Sequence, residues 1–393
     1  MNVEVVIGAN YGDEGKGLVT DYICKNNDNC IVVLNNGGCQ RGHTVEHRDG
    51  RRHVFHHFGS GTLRGVRTYF TKDYYLNPME FIREYEELKD TSEHLIMAYH
   101  DPKCIVQLPS DIALNWHLER LRASNDVRNG SCGCGIWETY QRIHCQHNAL
   151  TFDKFVKLNY HAKIDYINMV AKQQRNRLNE NIELFDIFMN QGFINHFISD
   201  TMEMDRLCKS VEFEELVKNR FQPITNIVIE NGQGLMLDEH FSDDSAHSTP
   251  SKTGAYGTVD FLSNIGISCY HRIDLNYVSR TYLTRHGNGH LENEVVGKFP
   301  YVDKTNIPNE WQGSLRYGHL NASSLRSRIQ KDKSMFVDSM KVGYEKLDIN
   351  LFLTHANEEK STLDSVYGNF GNMNTIYMSN THYSEDIVKL VER

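Results

Sequence analysis

Five times in this chain a short apolar run, rich in β-branched residues, gives way at once to a polar cluster. Residues 3–7 lead into GDEGKG, 31–34 into NNGGCQRGHT, 226–229 into ENGQG, 350–353 into THANE, and 375–378 into SNTHYS. Short β-branched runs bounded by turn-forming residues read as strands. Helical spacing of apolar residues falls between them, at 78–88, 152–170, 204–217, 323–337 and 384–391; Pro78 suits a first helical turn. Strands alternating with helices predict an α/β fold around an open, mostly parallel sheet. In such sheets ligands sit outside the carboxyl ends of the strands, so five polar clusters at five strand ends would line one crevice.

The bulk composition is compatible with that fold. With 393 residues, 39% of them hydrophobic, the chain can bury a sizeable core. No repeat, low-complexity tract or proline-rich linker divides it, so one large domain over 1–393 is expected. The net charge of −9 speaks against a nucleic-acid partner. No apolar stretch approaches a membrane span. The first residues, Met1-Asn2-Val3-Glu4, lack the basic start of a signal peptide. Nine scattered cysteines include no CxxC pair; Cys132 and Cys134 come closest, and two ligands do not make a metal site. A reduced cytoplasm is the expected location.

The first cluster carries the clearest chemistry. Gly12, Gly15 and Gly17 let backbone N–H groups approach an anion, and a following helix adds the positive end of its dipole. Glu14 lies within the same stretch and Lys16 supplies a point charge for phosphate. The spacing is not that of a Walker A loop: Gly8 stands seven positions before Gly15, and Gly17 takes the place of the magnesium-binding Ser/Thr. A hard oxygen ligand must come from elsewhere, and Asp13 is the candidate.

GDEGKG following GANY resembles the phosphate loop of the adenylosuccinate synthetases. Further segments resemble that family in order: NNGGCQRGHT (35–44), GSCGCGIWETY (130–140), IENGQGLMLD (229–238), SRTYLTRHGNG (279–289) and LFLTHANE (351–358). The resemblance implies a ligase that joins L-aspartate to C6 of a 6-oxopurine nucleoside monophosphate, driven by a nucleoside triphosphate and Mg²⁺, in a homodimer. It implies Asp13 as base and metal ligand, with His43 as the hydrogen-bonding acid near the triphosphate and Gln233 on the purine nucleotide. The Gly42 carbonyl would be a second metal contact. Gly12, Glu14, Gly15, Lys16, Gly17, Gly42 and Thr44 would hold the triphosphate. Gln40, Ser131, Cys132, Gln233, Ser248 and Thr249 would surround the acceptor nucleotide, and Gly313, Ser314 and Arg316 the aspartate. Thr354, Asn357, Ser379 and Asn380 would meet the donor base.

The chain departs from the family's pattern at several of these points. Where the family reads the guanine of GTP with a carboxylate, this chain has Asn357, which carries both an acceptor and a donor. That pairing suits adenine, so ATP or dATP is the expected donor. The Thr-Thr and Gly-Arg-Gly of the acceptor pocket are replaced by Ser131-Cys132-Gly133-Cys134-Gly135. An arginine lent across the dimer aligns with Gln146. These changes, together with similarity to the family's viral branch, favour dGMP as acceptor on the route to 2-aminoadenine DNA. Asp13, which some members of that branch are thought to lack, keeps an ordinary IMP enzyme as the alternative. A non-catalytic nucleotide-binding protein on the same fold is a third reading.

Overall fold

The computed structural model describes residues 1–124, 130–146, 149–178, 183–242, 244, 247–297, 299–301, 303, 306, 313–370 and 373–392. Its strands are β1 (Asn2–Gly8), β2 (Cys30–Leu34), β3 (His43–Glu46), β4 (Arg52–Phe55), β5 (Arg67–Phe70), β6 (Tyr75–Leu76), β7 (Ala98–His100) and β8 (Ile105–Val106), followed by β9 (Cys208–Ser210), β10 (Asn226–Glu230), β11 (Cys269–Arg280), β12 (Tyr282–Arg285), β13 (Arg316–His319), β14 (Gly343–Thr354), β15 (Thr375–Met378) and β16 (Val388–Glu392). Ten of them form one sheet in the order β16-β15-β14-β11-β1-β10-β2-β5-β7-β9. Every neighbouring pair is parallel except β15 with β16. This is the expected α/β architecture.

Alternation along the central strands feeds two cores. Val6, Val32, Val228 and Val278 join one buried cluster, which also contains Leu18, Val19 and Ile23 of helix Lys16–Asn26. Val5, Ile7, Val33, Ile229 and Tyr277 join the other, with Leu325 and Ile329 of helix Ala322–Ser339. A sheet covered on both faces needs apolar residues at every central position, and each such side chain contributes about 1.5–3 kcal/mol.

Because β1, β2, β10, β11, β14 and β15 all run the same way, their carboxyl ends share one edge of the sheet. The five polar clusters are therefore on one side of the molecule, and β11 adds a sixth strand end between β1 and β14.

Three expected helices differ in the structure. The segment 152–170 is split into Phe152–Val156 and Tyr160–Leu178; Asn159 starts the second helix by accepting from Ala162 N at 2.9 Å. The segment 204–217 holds the end of helix Gln191–Leu207, the edge strand β9 and a short helix Phe213–Lys218. Cys208 pairs with Ala98 there and is buried. The segment 384–391 is a 3-10 turn followed by β16, which runs antiparallel to β15. Among the described residues no helix is long and apolar enough to cross a membrane.

Candidate active site

The turn after β1 is built around the Glu14 carboxylate. Its Oε1 accepts from Asn10 N at 3.0 Å and Gly12 N at 2.8 Å, and its Oε2 accepts from Lys16 Nζ at 2.9 Å. Both side chains of that ion pair are buried. Glu14 thus braces the loop from within, and Lys16 meets it there in a buried pair. Gly15, in the left-handed region at φ 97°, stands at the start of helix Lys16–Asn26, so the N-terminal amides of that helix open towards the loop.

ENGQG packs directly on this turn. A Cβ on Gly8 would lie 2.5 Å from Glu14 Oε2 and 2.6 Å from the Gln233 carbonyl, and one on Gly234 would lie 2.5 Å from the Asn10 carbonyl. Only glycine allows the two strand ends to approach so closely. Asp13 and Gln233 both have positive φ, 60° and 64°. Such backbone costs on the order of 1–3 kcal/mol and marks segments held by their surroundings. The Asp13 carboxylate is partly exposed, with His286 Nε2 at 3.4 Å from Oδ2. Gln233 Oε1 is buried and has no hydrogen-bond partner.

His43 begins β3, against the first turn of helix Lys16–Asn26; a Cβ on Gly17 would lie 2.9 Å from the Thr44 carbonyl. Its Nδ1 is 2.5 Å from Glu230 Oε1, and both groups are buried. Glu230 Oε2 also accepts from Ser60 N at 3.0 Å, Oε1 accepts from the Ser60 hydroxyl, and the Arg41 guanidinium stands 3.9 Å from Oε2. Burial alone would raise the Glu230 carboxyl, but His43, Arg41 and Ser60 together hold it down at about 2. Burial lowers the His43 imidazole to about 4 against the pull of Glu230. The pair is therefore a carboxylate facing a neutral ring whose Nδ1 carries the proton, which leaves Nε2 for a ligand. Gly42, beside it, is exposed.

The outer positions are less tightly gathered. The Thr354 hydroxyl donates to the Glu14 carbonyl at 2.7 Å, tying the end of β14 to the phosphate loop. Asn357 and Asn380 are exposed at the tips of their loops, which meet where Ala356 N donates to the Ser379 carbonyl at 3.1 Å. Gln40 Oε1 folds back to accept from Gly38 N at 2.6 Å. The Ser131 hydroxyl donates to Asn115 Oδ1 at 3.2 Å, and Cys132 is partly buried next to it. Thr249 N donates to the Leu237 carbonyl at 2.6 Å, and Ser248 precedes it. The side chain of Gln146 and residues 310–312 lie outside the described residues.

Gly313, at φ 69°, and exposed Ser314 lead into Arg316. Three of the five N–H donors of that guanidinium are engaged: Nε donates to the Gly287 carbonyl at 3.1 Å, Nη2 to the Gly289 carbonyl at 2.8 Å, and Nη1 to Glu294 at 2.9 Å. In this conformation Arg316 braces the 287–289 loop. Arg285, which was not expected at the site, is buried against the Tyr11 ring at 5.1 Å with its Nε unpartnered. Glu230, Arg41 and His286 also went unnoticed in the sequence. All four lie inside quoted motifs, and a buried charge ending an apolar strand could have flagged Glu230.

A family model described as adenylosuccinate synthetase matches residues 5–387. Among curated relatives, the adenylosuccinate synthetase of Picrophilus torridus is 28% identical over 295 residues, covering 75% of this chain and 65% of that protein. That of Clostridium perfringens is 28% identical over 315 residues, covering 75% and 67%. The match thus spans about two thirds of these relatives' length. Of solved structures, fully ligated adenylosuccinate synthetase from Plasmodium falciparum superposes with a TM-score of 0.66 at 17% identity, covering 99% of this chain and 87% of that one. The cyanophage S-2L succinoaminodeoxyadenylate synthetase, bound to dGMP and to dATP as an energy donor, gives 0.62 at 14% identity, covering 99% and 95%. At such identities the likeness is one of fold. With the family model spanning nearly the whole sequence, the chain belongs to the adenylosuccinate synthetase family.

Proposed function

We propose that this chain is a purine-nucleotide–aspartate ligase, with dGMP as acceptor, ATP or dATP as donor, and the 6-succinylamino derivative of dGMP as product. The observation that carries the reading is that Asp13 and Gln233 follow neighbouring strands β1 and β10, and that His43 opens β3 against Gly17, in the helix that follows the phosphate-loop glycines. A purine 6-oxo group leaves poorly until it is phosphorylated. As O6 attacks the terminal phosphorus of the donor and the nucleoside diphosphate leaves, the proton on N1 must go to a base, and Asp13 is the partly exposed carboxylate of the set. Glu230 accepts the Nδ1–H of His43, and its negative charge favours a second proton on Nε2 once phosphate charge is near, so His43 donates from Nε2 towards the developing charge near O6. Gln233 brings an amide whose oxygen has no other partner. The aspartate amine then displaces phosphate at C6.

The residues present suit Mg²⁺: the Asp13 carboxylate and the Gly42 carbonyl are hard oxygen donors, and both keep exposure. When bound, the ion would neutralise charge on the transferring phosphoryl group. The donor preference rests on Asn357, a neutral amide at the tip of its loop. The likeness to the cyanophage enzyme supports the acceptor choice. A homodimer in the cytoplasm is part of the same reading.

The alternative, IMP with GTP, is favoured by the names of the curated relatives and by the presence of Asp13. Incubating dGMP, GMP or IMP with aspartate and ATP, dATP or GTP, followed by mass spectrometry, separates the two. Product from dGMP with ATP or dATP is expected. Product from IMP with GTP, and none from dGMP, would establish the alternative.

A further inference from the structure

Asp13 is enclosed by a closed ring of polar contacts that the proposed chemistry does not require by itself. Arg280, the last residue of β11, donates from Nε to the Asp13 carbonyl at 2.5 Å and from Nη2 to Asp303 Oδ2 at 2.6 Å. Asn306 Nδ2 donates to the same Asp303 oxygen at 2.8 Å. This fixes which way the Asn306 amide points, and its Oδ1 lies 3.2 Å from His286 Nε2. Asn306 Oδ1 can only accept, so Nε2 carries the ring proton. The same nitrogen lies 3.4 Å from Asp13 Oδ2, which closes the ring back on the residue where it began.

The anchoring is firm at each step. Arg280 and Asp303 are both nearly buried, so their ion pair is shielded from solvent screening. His286 follows β12 directly, and its loop is pinned from two sides. Arg316 donates to the carbonyls of Gly287 and Gly289, and Gly130 approaches so closely that a Cβ there would lie 2.5 Å from Gly287 Cα. The clamp on Asp13 is therefore continuous with the loop that begins at Gly130 and with Arg316, the positions expected to meet the acceptor nucleotide and aspartate.

We infer that His286 is a positioning residue for Asp13. Together with Arg280, Asp303 and Asn306 it fixes the direction of a carboxylate that sits on strained backbone. Arg280 holds the backbone from one side, and His286, its Nε2–H donated to Asn306, sets the positive edge of its ring 3.4 Å from Oδ2 on the other, so that Oδ1 is the oxygen presented to a nucleobase. Misplacing a reacting group by about 1 Å can cost a hundredfold in rate, and an Asp with positive φ has more directions to lose than one on a helix. The inference rests on the reading of Asp13 as base.

The test uses the full chain. His286→Phe keeps a ring of similar size and removes the N–H; His286→Gln returns an N–H near the place of Nε2. His286→Phe should lower kcat about tenfold or more, with KM for each substrate changed less than about threefold, and His286→Gln should recover most of the loss. The gain in ATP affinity on adding Mg²⁺, read by calorimetry, should shrink in His286→Phe and return in His286→Gln. Asp13→Asn combined with His286→Phe should be no slower than Asp13→Asn alone, because the two act through one group. Asn306→Ala should move kcat and the Mg²⁺-dependent gain in the same direction by a smaller factor.

The clamp is overturned if His286→Phe keeps kcat and the Mg²⁺-dependent gain within twofold, if Gln and Phe lose equally, or if the double variant is slower still. Should His286→Phe fail to fold, wild-type behaviour of both His286→Gln and Asn306→Ala counts against the clamp, and a loss in Asn306→Ala with His286→Gln active supports it. Near-normal turnover of Asp13→Asn would instead remove the base itself, and with it the functional reading.

Discussion

Two glutamates on adjacent strands of one sheet are held in opposite states. Glu230 ends β10 opposite Val6, and Glu4 lies two residues earlier on β1 opposite Val228. At the carboxyl end, Glu230 is met by the Ser60 amide and hydroxyl, His43 and Arg41, and stays ionised with a pKa of about 2. Further back, Glu4 faces Asp274 across the β1–β11 register, with Asp348 next in line on β14. Its carboxylate accepts there from Asn276 Nδ2, at 2.7 Å. Arg272 is drawn instead to Asp274 and Asp348. Burial and the Asp274 carboxylate push Glu4 up to about 8. The difference shows that burial alone does not decide charge. Donors converge at the strand ends, where loops and helix termini gather, and that is the edge where the proposed function places its anionic substrates.

If the carboxyl edge is the reacting edge, the largest effects should come from it. Asp13→Asn should reduce turnover by about a hundredfold or more while calorimetry shows donor binding largely kept. Glu230→Gln should come next, at roughly tenfold or more in kcat. It also leaves Arg41 facing no carboxylate, and the melting temperature should fall; an unchanged melt would mean that the buried guanidinium does not need its partner. Gly8→Ala tests the close approach of two strand ends: a Cβ 2.5 Å from Glu14 Oε2 should cost about 1–3 kcal/mol in denaturant unfolding and weaken donor binding.

Glu4→Gln should be the smallest effect and should spare activity. A carboxyl at about 8 when folded, and near 4.5 when unfolded, binds its proton more tightly in the folded state. Stability should therefore fall as pH rises from about 4.5 to about 8, then level off. The variant should lose that slope, so its advantage over the wild type should widen up to about pH 8. Parallel urea midpoints between pH 5 and 9 would contradict the assignment.

The strands at 3–7, 31–34, 226–229, 350–353 and 375–378 were legible because each is a run of β-branched or aliphatic residues. β11 was not, although it is among the longest strands, because Arg272, Asp274 and Asn276 interrupt its apolar pattern. With β11 went Arg280, and so the clamp around Asp13. The segment 384–391 offers too few turns to separate a period of two from one of 3.6. Within the site, the residue types of the phosphate loop were readable, but their partners were not. Nothing in GDEGKG says that Glu14 folds back onto the amides of Asn10 and Gly12, or that Thr354 reaches the Glu14 carbonyl. The first two are local, set by a turn whose backbone the residue types do not dictate; the third joins residues 340 apart in sequence, and only the sheet order brings them together.

In the proposed reaction the exocyclic 6-oxo oxygen leaves as phosphate after proton removal by Asp13. This is tested most directly by running the reaction on dGMP labelled with ¹⁸O at C6, with aspartate and ATP, and following the label by mass spectrometry. The label should appear in inorganic phosphate, one atom per product formed, and should do so at a greatly reduced rate in Asp13→Asn. Product formed with unlabelled phosphate would contradict a 6-phosphoryl intermediate and the role given to the phosphate-loop edge of the sheet.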